Sequence, residues 1–264
     1  MEITEIKKFQ IGSLKLEVHP SPKAAAGAAA HAIAEYLQSF KDTVNDIGVI
    51  FATGTSQLEL LRILTAMTDL PWAKVSGFHL DEYIGIDPSH KASFRRYLRE
   101  VLTSRVPMRQ FFEIDGSAPN STIVAQEYAR QLRMADPQLC LLGIGENGHL
   151  AFNDPGVADF HDPLDVKIVC LDAVSRQQQV SEGWFENLQN VPERAITATI
   201  PALFRVPKLI LSTPGKRKAH IIRRALEEPI SPDCPATILR THPDATAYLD
   251  TEAAAEWLAA AGQK

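Results

Sequence analysis

The clearest concentration of reactive side chains in this sequence is a glycine-rich run that ends at a histidine. The run from Gly143 to Gly148 has glycines at its first, third and sixth positions, His149 follows it directly, and Asp154 comes shortly after. Glycines at this spacing predict a tight loop that presents Asn147, His149 and Asp154 on one side. Because a histidine with a nearby carboxylate is a common general acid–base unit, the run predicts a site of proton transfer.

The same run also matches the Gly-x-Gly-x-x-Gly pattern of dinucleotide-binding loops. That pattern requires a helix to continue from the last glycine. Here the segment Asn153-Asp154-Pro155-Gly156 interrupts the chain soon afterwards, because proline and glycine both break helices. We therefore reject dinucleotide binding.

Two adjacent acids, Asp81 and Glu82, form a second candidate for chemistry. Neighbouring side chains in an extended segment point to opposite sides, so only one of them can face a shared site and the other is structural. His79, Asp81 and His149 could instead ligate a metal ion. The sequence lacks the dense His, Cys and carboxylate spacing typical of metal sites, and we predict no metal.

The segment Thr53-Gly54-Thr55-Ser56 could hold an anion. It offers successive backbone N–H groups and hydroxyls where a helix begins, and the N-terminus of a helix attracts negative charge. The segment is not a Walker A loop, because the Gly-Lys-Ser/Thr ending is absent. The alternative is a simple turn in which Ser56 caps the helix.

A second anion-binding candidate is the run from Gly215 to Lys218, which places three cations at the start of a predicted helix. Cations there oppose the helix dipole unless an anion lies nearby. We predict that Lys218 points inward and shares a phosphate with Arg176. The pairs Arg95-Arg96 and Arg223-Arg224 are predicted to form solvated charged faces.

These candidates are positioned by alternating strand and helix patterns. Short apolar runs predict strands at Ile47–Phe51, up to Leu80, and at Gln138–Leu142, Val166–Leu171, Ala195–Ile200, Lys208–Ser212 and Ala247–Leu249. Helical spacing predicts helices that begin at Ser21-Pro22 and at Phe94, and others at Gln57–Met67, Val124–Met134, Arg176–Leu188, Lys218–Leu226 and Thr251–Ala261. The alternation predicts an α/β fold: a doubly wound, mostly parallel sheet with helices on both faces, as in a Rossmann-like three-layer sandwich. The candidate segments follow strand ends, where ligands of open parallel sheets bind.

Length and composition narrow the range of functions. No Pro-, Gly- or Ser-rich linker divides the 264 residues, so we expect a single domain over residues 1–264. A net charge of −5 argues against a nucleic-acid-binding surface. The three cysteines are widely spaced and suggest neither a disulfide framework nor a zinc site, which favours a reducing, cytoplasmic location. No signal peptide or membrane-spanning stretch is recognisable. The oligomeric state stays open, a homo-oligomer included.

In this order, the segments resemble the glucosamine-6-phosphate deaminase family, which is related to the 6-phosphogluconolactonases. The resemblance extends from about Ile47 to Trp257 and is strongest over Phe78–Gly85 and Gly143–Pro155. It implies an enzyme that converts a hexosamine 6-phosphate to a ketose 6-phosphate and ammonia, by ring opening and abstraction of the C2 proton. It implies a small sugar phosphate as the ligand, and no nucleic acid, membrane, metal or organic cofactor.

The resemblance also implies roles for individual residues. Asp81 matches the base that takes the C2 proton, and His149 matches the group that opens the sugar ring. Positions 147 and 154 match two carboxylates that orient this histidine. The phosphate site would comprise Thr53, Gly54, Thr55, Ser56, Arg176 and Lys218.

Two departures from the family pattern keep alternatives open. Asn147 stands where the family has an aspartate, and Asp154 stands where it has a glutamate. Because an asparagine cannot balance the charge of an imidazolium, a sugar-phosphate-binding protein with impaired catalysis is one alternative. In that case Asn147→Asp would be expected to gain activity. A 6-phosphogluconolactonase-like hydrolase, in which His149 activates water, is the other alternative.

Overall fold

The computed structural model describes residues 5–261 of the chain. Within these residues the chain forms eleven strands: β1 (Lys7–Ile11), β2 (Leu14–His19), β3 (Ile47–Phe51), β4 (Val75–His79), β5 (Asp81–Tyr83), β6 (Gln110–Phe111), β7 (Leu139–Leu142), β8 (Val166–Cys170), β9 (Arg194–Ala198), β10 (Lys208–Ser212) and β11 (Ala245–Asp250).

The α-helices alternate with these strands, as the apolar spacing predicts. They are α1 (Pro22–Ser39), α2 (Thr55–Ala66), α3 (Phe94–Leu98), α4 (Ser121–Ala135), α5 (Ala173–Ser181), α6 (Ile200–Phe204), α7 (Ala219–Glu227) and α8 (Ala255–Ala261). The start of α1 is fixed by Ser21, whose side chain accepts a hydrogen bond from the backbone N–H of Ala24 at 3.2 Å. The short α3 continues into a π-helical segment, Arg99–Thr103.

Eight strands form the main sheet, in the order β1-β2-β11-β10-β7-β3-β4-β6. Only β1 and β2 pair antiparallel in this sheet, and the other neighbours pair in parallel. The prediction of a mostly parallel α/β sheet flanked by helices is therefore confirmed. The hairpin of β1 and β2 was not predicted, because β1 is a short edge strand with alternate residues exposed and no continuous apolar run.

Two predicted strands lie outside the main sheet, and their assignment to it was wrong. The strands β8 and β9 pair antiparallel with each other and β9 pairs with β5, which forms a separate three-stranded sheet. The two sheets are connected at Leu80, which lies between β4 of the main sheet and β5 of the three-stranded sheet. Lys167 and Ile168 of β8 are only partly buried, whereas all five residues of β3 and of β4 are buried. A strand in the middle of a parallel sheet would be covered on both faces.

The largest hydrophobic core cluster includes residues from most strands of the main sheet and from the helices packed against it, among them α1, α2 and α7. A smaller apolar cluster lies beneath the three-stranded sheet and contains Tyr83, Phe152 and Phe185. No helix among residues 5–261 is both long enough and apolar enough to cross a membrane.

Candidate functional site

A cleft of about 370 Å³ opens at the carboxyl ends of four adjacent strands of the main sheet, β10, β7, β3 and β4. Each strand contributes residues from the segment that follows it: Thr53–Ser56, Asp81, Gly143–Glu146 with His149, and Gly215–Lys218. Asp81, His149 and Lys218 thus line one cavity. Its volume is in the usual range for a site that binds a small molecule.

The loop after β3 differs in detail from the predicted turn. Gly54 is the N-cap of α2 and adopts a positive φ of 94°, and the helix begins at Thr55. Ser56 therefore lies inside the first turn and is not the cap. Because the positive φ falls on the glycine, Thr55 is not strained. The hydroxyl of Tyr97 stabilises the loop by donating a hydrogen bond to the carbonyl of Gly54 at 2.9 Å.

Asp81 contributes the carboxylate that faces the cleft, where only 5% of the residue is exposed. Burial raises the pKa of this carboxyl well above its ordinary value, and the negative charges of Glu82 and Asp154 raise it further. A carboxylate with a raised pKa holds a proton more firmly than an exposed aspartate does. It is therefore a stronger base when it is ionised in a closed site.

The adjacent Glu82 has a structural role and lies on the opposite side of the strand. Its carboxylate accepts hydrogen bonds from the backbone N–H groups of Tyr83, Phe94 and Arg95 at 3.0, 3.2 and 3.0 Å, and from the Ser93 hydroxyl at 2.8 Å. Burial raises the pKa of Glu82, and these hydrogen bonds offset only part of the rise. Of the two adjacent acids, Glu82 therefore anchors the start of α3.

His79 fixes the backbone that carries Asp81. Its Nδ1 lies 2.8 Å from the carbonyl oxygen of Asp81, and its Nε2 accepts from the backbone N–H of Ile114 at 2.8 Å. Burial lowers the pKa of His79 to about 3, so the imidazole is neutral at ordinary pH. The hydroxyl of Tyr128 bonds to both the N–H and the carbonyl of His79. Both ring nitrogens of His79 are thus occupied, which removes it from the metal alternative.

The ring of His149 is held from its Nδ1 side. This nitrogen lies 2.9 Å from Asp154 Oδ1 and 2.9 Å from Ser175 Oγ, and Ser175 Oγ also donates to Asp154 Oδ1. Burial tends to raise the pKa of Asp154. The hydrogen bond and positive charge of His149, with hydrogen bonds from Asn147 and Ser175, lower it to about 2. Asp154 is therefore an ionised partner of the imidazole, and Nε2 is left for proton transfer in the cleft.

Asn147 does not contact the imidazole ring. Its Oδ1 accepts from the backbone N–H of His149 at 3.1 Å, and its Nδ2 donates to Asp154 Oδ1 at 3.0 Å and to Asp172 Oδ2 at 2.8 Å. Of the two positions expected to orient this histidine, 154 contacts the imidazole ring and 147 contacts the backbone N–H. An asparagine at this place bridges two carboxylates, because it can donate two N–H bonds.

Lys218 lies at the other end of the cleft and is 9% exposed. The pKa of its ammonium group is lowered, chiefly by burial. The negative charges of Glu182 and Glu146 offset part of this decrease, and the positive charge of Arg217 adds to it. Arg217 pairs with Glu146 at 2.8 Å. Within residues 5–261 the ammonium of Lys218 has no ion-pair partner inside 4.0 Å, so it is available to an anionic ligand.

Two arginines are placed differently from the predictions. Arg176 does not line the cleft, because its guanidinium donates to the backbone carbonyls of Leu188 and Val191 at 2.8 and 3.0 Å. Arg95 was expected in a solvated face but is buried, with its guanidinium 2.8 Å from Asp115. In both cases the long side chain finds acceptors within the fold.

Several residues of the site were given no role from the sequence. They are Asp172 and Ser175, which contact the histidine network, and Glu146, Gln178, Gln179 and Glu182, which line the cleft. Except for Glu146, which belongs to the glycine-rich loop, they lie on α5 or at its ends. The sequence offered two signals: Ser175 follows a predicted strand, and an aspartate such as Asp172 is a favoured N-cap that predicts a helix start.

No group of three or more His, Cys, Asp and Glu side chains in the described part of the chain could hold a metal ion.

The chain is similar to known proteins both in sequence and in fold. A family model described as glucosamine-6-phosphate isomerases/6-phosphogluconolactonase matches residues 20–248. A glucosamine-6-phosphate deaminase of Exiguobacterium sp. is 34% identical over 223 residues, which are 83% of this chain and 85% of that protein. One from Streptococcus thermophilus is 32% identical over 205 residues, 78% of this chain and 85% of that protein.

Solved structures show the same fold. The structure of a monomeric glucosamine-6-phosphate deaminase has a TM-score of 0.84 and 26% identity, and covers 91% of this chain and 99% of that one. A 6-phosphogluconolactonase from Thermotoga maritima has a TM-score of 0.70 at 20% identity, over 90% of this chain and 98% of that one. The latter likeness concerns the fold alone.

Proposed function

Because this chain belongs to the glucosamine-6-phosphate isomerase and 6-phosphogluconolactonase family, we propose that it is an enzyme that converts a hexosamine 6-phosphate to a ketose 6-phosphate and ammonia. The observation that carries this proposal is the placement of Asp81, His149 and Lys218 around one cleft. A base, an acid–base imidazole and a free cation are the groups that such a reaction needs.

The anion anchor combines Lys218 with the loop from Thr53 to Ser56. The first backbone N–H groups of a helix have no partners within the helix and can bind an anion, and an ammonium group adds a charge-assisted hydrogen bond to a phosphate. Lys216 and Arg217 also line this end. Arg176 is left out of the anchor, because the guanidinium already donates to two carbonyls.

His149 catalyses the opening of the sugar ring. With Nδ1 held by Asp154, the imidazole Nε2 takes the proton of the C1 hydroxyl and passes it to the ring oxygen as the bond from C1 to that oxygen breaks. This yields the open-chain aldose and returns the imidazole to its starting state. The ionised Asp154 stabilises the imidazolium and fixes the orientation of the ring.

Asp81 is the base that catalyses the isomerisation. Its carboxylate removes the C2 proton, and the electrons of that bond form a C1–C2 double bond. The C1 carbonyl oxygen takes one proton from the substrate's own C2 ammonium group, which gives the enolamine. Return of a proton to C1 gives the C2 imine, which water then hydrolyses to the ketose and ammonia. The raised pKa of Asp81 suits a group that must both accept and return a proton. No step in this scheme requires a metal or an organic cofactor.

The proposal is tested by incubation of the protein with glucosamine 6-phosphate and with galactosamine 6-phosphate in D2O, with EDTA present. We expect ammonia and ketose 6-phosphate in equal amounts from at least one epimer, with solvent deuterium at C1 of the ketose. Hydrolysis of 6-phosphogluconolactone without ammonia release would contradict the proposal and select a lactonase. Tight binding of both epimers without turnover would select a binding protein.

Gly145 provides a test of how strictly the ring of His149 must be placed. A Cβ at this position would lie 2.2 Å from Cε1 and Nε2 of His149, so the imidazole would have to move. We expect Gly145→Ala to lower kcat by about 100-fold, because misplacement of a catalytic group by about 1 Å can cost that much. Steady-state kinetics measure the effect, and KM should change far less than kcat.

The matched control is Gly143→Ala in the same loop. Its Cβ would meet Gln57 and Ser56 at 3.4 and 3.5 Å, which is ordinary contact. We expect a much smaller loss from this variant. Equal losses in both alanine variants would mean that the loop, and not the ring of His149, is sensitive.

A further inference from the structure

The side-chain amide of Asn147 is fixed between two carboxylates. Its two N–H groups point to Asp154 Oδ1 at 3.0 Å and Asp172 Oδ2 at 2.8 Å, with Ser175 Oγ farther away at 3.3 Å. Its Oδ1 accepts from the backbone of His149. A flipped amide would place its oxygen against both carboxylates, so only this orientation is favourable. Asn147 acts here as a donor, which an aspartate could not do.

Asp172 forms hydrogen bonds with each of the residues that position the histidine: Asn147, Asp154 and Ser175. It is the N-cap of α5, and its Oδ1 accepts from the backbone N–H of Ser175 at 2.6 Å. The hydroxyl of that serine contacts both His149 and Asp154. The backbone N–H of Asp172 donates to Asp154 Oδ2 at 3.3 Å. Through Asn147 and Ser175, Asp172 therefore sets the position of both partners of the imidazole.

We propose that Asp172 is a positioning residue for His149 and supplies the second carboxylate of the histidine network, to which Asn147 joins it. This inference rests on the proposed function insofar as His149 acts in ring opening. It accounts for the asparagine at a position where the family resemblance implies an aspartate: the second carboxylate comes from position 172, and a donor between the two acids is required. On this basis Asn147→Asp is not a repair, because it would bring three carboxylates together without a proton to share.

A double-mutant cycle tests the inference with Asn147→Asp, Asp172→Asn and the variant that combines them. The amide oxygen introduced by Asp172→Asn remains an acceptor for the Ser175 N–H, and asparagine caps helices as well as aspartate does. The combined variant again has two carboxylates and one amide. We expect Asn147→Asp to lower kcat between about 2-fold and 100-fold, the range for residues that share one hydrogen-bond network. Asp172→Asn alone should cost less. The combined variant should regain part of the loss, because it removes the repulsion between positions 147 and 172 and leaves that between positions 147 and 154. KM should stay near the wild-type value in all three, because the anion anchor is untouched.

The thermal midpoint of unfolding provides a readout that does not depend on activity. We expect Asn147→Asp to lower Tm and the combined variant to recover part of the decrease. If the wild-type protein released no ammonia, the proposed function would fail, and recovery of Tm in the combined variant would still support the inference. Asp87→Asn is the control: Asp87 is an exposed aspartate that accepts from Ser89 N at 2.7 Å outside the cleft, and its loss should not rescue Asn147→Asp. A gain of activity in Asn147→Asp, or a combined variant no better than Asn147→Asp alone, would overturn the inference.

Discussion

Replacement of Asp81 by asparagine is expected to lower kcat by about 10²–10⁴-fold, which is the usual contribution of a general base. Asparagine is close to aspartate in size, so the cleft and the anion anchor should be preserved and KM should change little. In the wild-type enzyme the acid limb of the kcat/KM profile should lie well above the ordinary aspartate pKa, because burial and neighbouring acids raise the pKa of Asp81. Full activity of Asp81→Asn would exclude this carboxylate as the base.

The same substitution should make the protein more stable at neutral pH. A carboxyl with a raised pKa binds more protons in the folded state than in the unfolded state, so stability falls as pH rises from the unfolded pKa to the folded pKa. Above the folded pKa the full cost of the buried charge is present. We therefore expect Asp81→Asn to have a higher Tm than the wild type at pH 8. The difference should vanish below about pH 3, where the aspartate is neutral in both states.

Glu82→Gln is the matched control, because it removes the neighbouring charge. Glu82 accepts four hydrogen bonds at the start of α3, and its loss would also leave the buried Arg95 without this partner at 3.6 Å. We expect a lower Tm and a much smaller effect on kcat than in Asp81→Asn. If the two variants exchanged these effects, the roles assigned to the two acids would be reversed.

The parts of this site that the sequence reveals are those where local pattern and topology agree. Apolar strands followed by loops at Thr53, Asp81, Gly143 and Gly215 place these segments at one edge of the sheet, since parallel strands end on the same side. The alternation of strands and helices is a strong pattern over the whole chain, and the structure confirms it. Local reasoning fails for β8 and β9, because a short apolar run does not reveal which partner strand it will join.

The direction of long polar side chains is the second part that the sequence could not reveal. Arg176 and Arg95 were assigned from charge and spacing, but their positions depend on acceptors distant in sequence, such as the carbonyls of Leu188 and Val191. Asp172 illustrates the reverse case. Its local pattern predicts only a helix cap, and its contact with Asn147 arises because the fold brings α5 against the glycine-rich loop.

The assignment of the anion anchor leads to the second large expected effect. We expect Lys218→Met to raise KM for the sugar phosphate by about 10–100-fold, because a hydrogen bond to a charged group contributes about 1.5–3 kcal/mol and 1.4 kcal/mol corresponds to a factor of ten. The methionine keeps the length of the side chain and removes a buried charge, so Tm should not fall. Inorganic phosphate should also lose its ability to compete with the substrate.

Arg176→Met separates an anchor from a structural cation. The wild-type guanidinium donates to the carbonyls of Leu188 and Val191, which hold the segment after α5. Loss of these bonds should lower Tm by about 2–4 °C for each kcal/mol lost, while KM stays within a few-fold of the wild type. A rise in KM equal to that of Lys218→Met, with Tm unchanged, would show that Arg176 leaves its carbonyl partners to bind the phosphate. Because one variant should change KM without Tm and the other Tm without KM, the pair decides which cation holds the substrate.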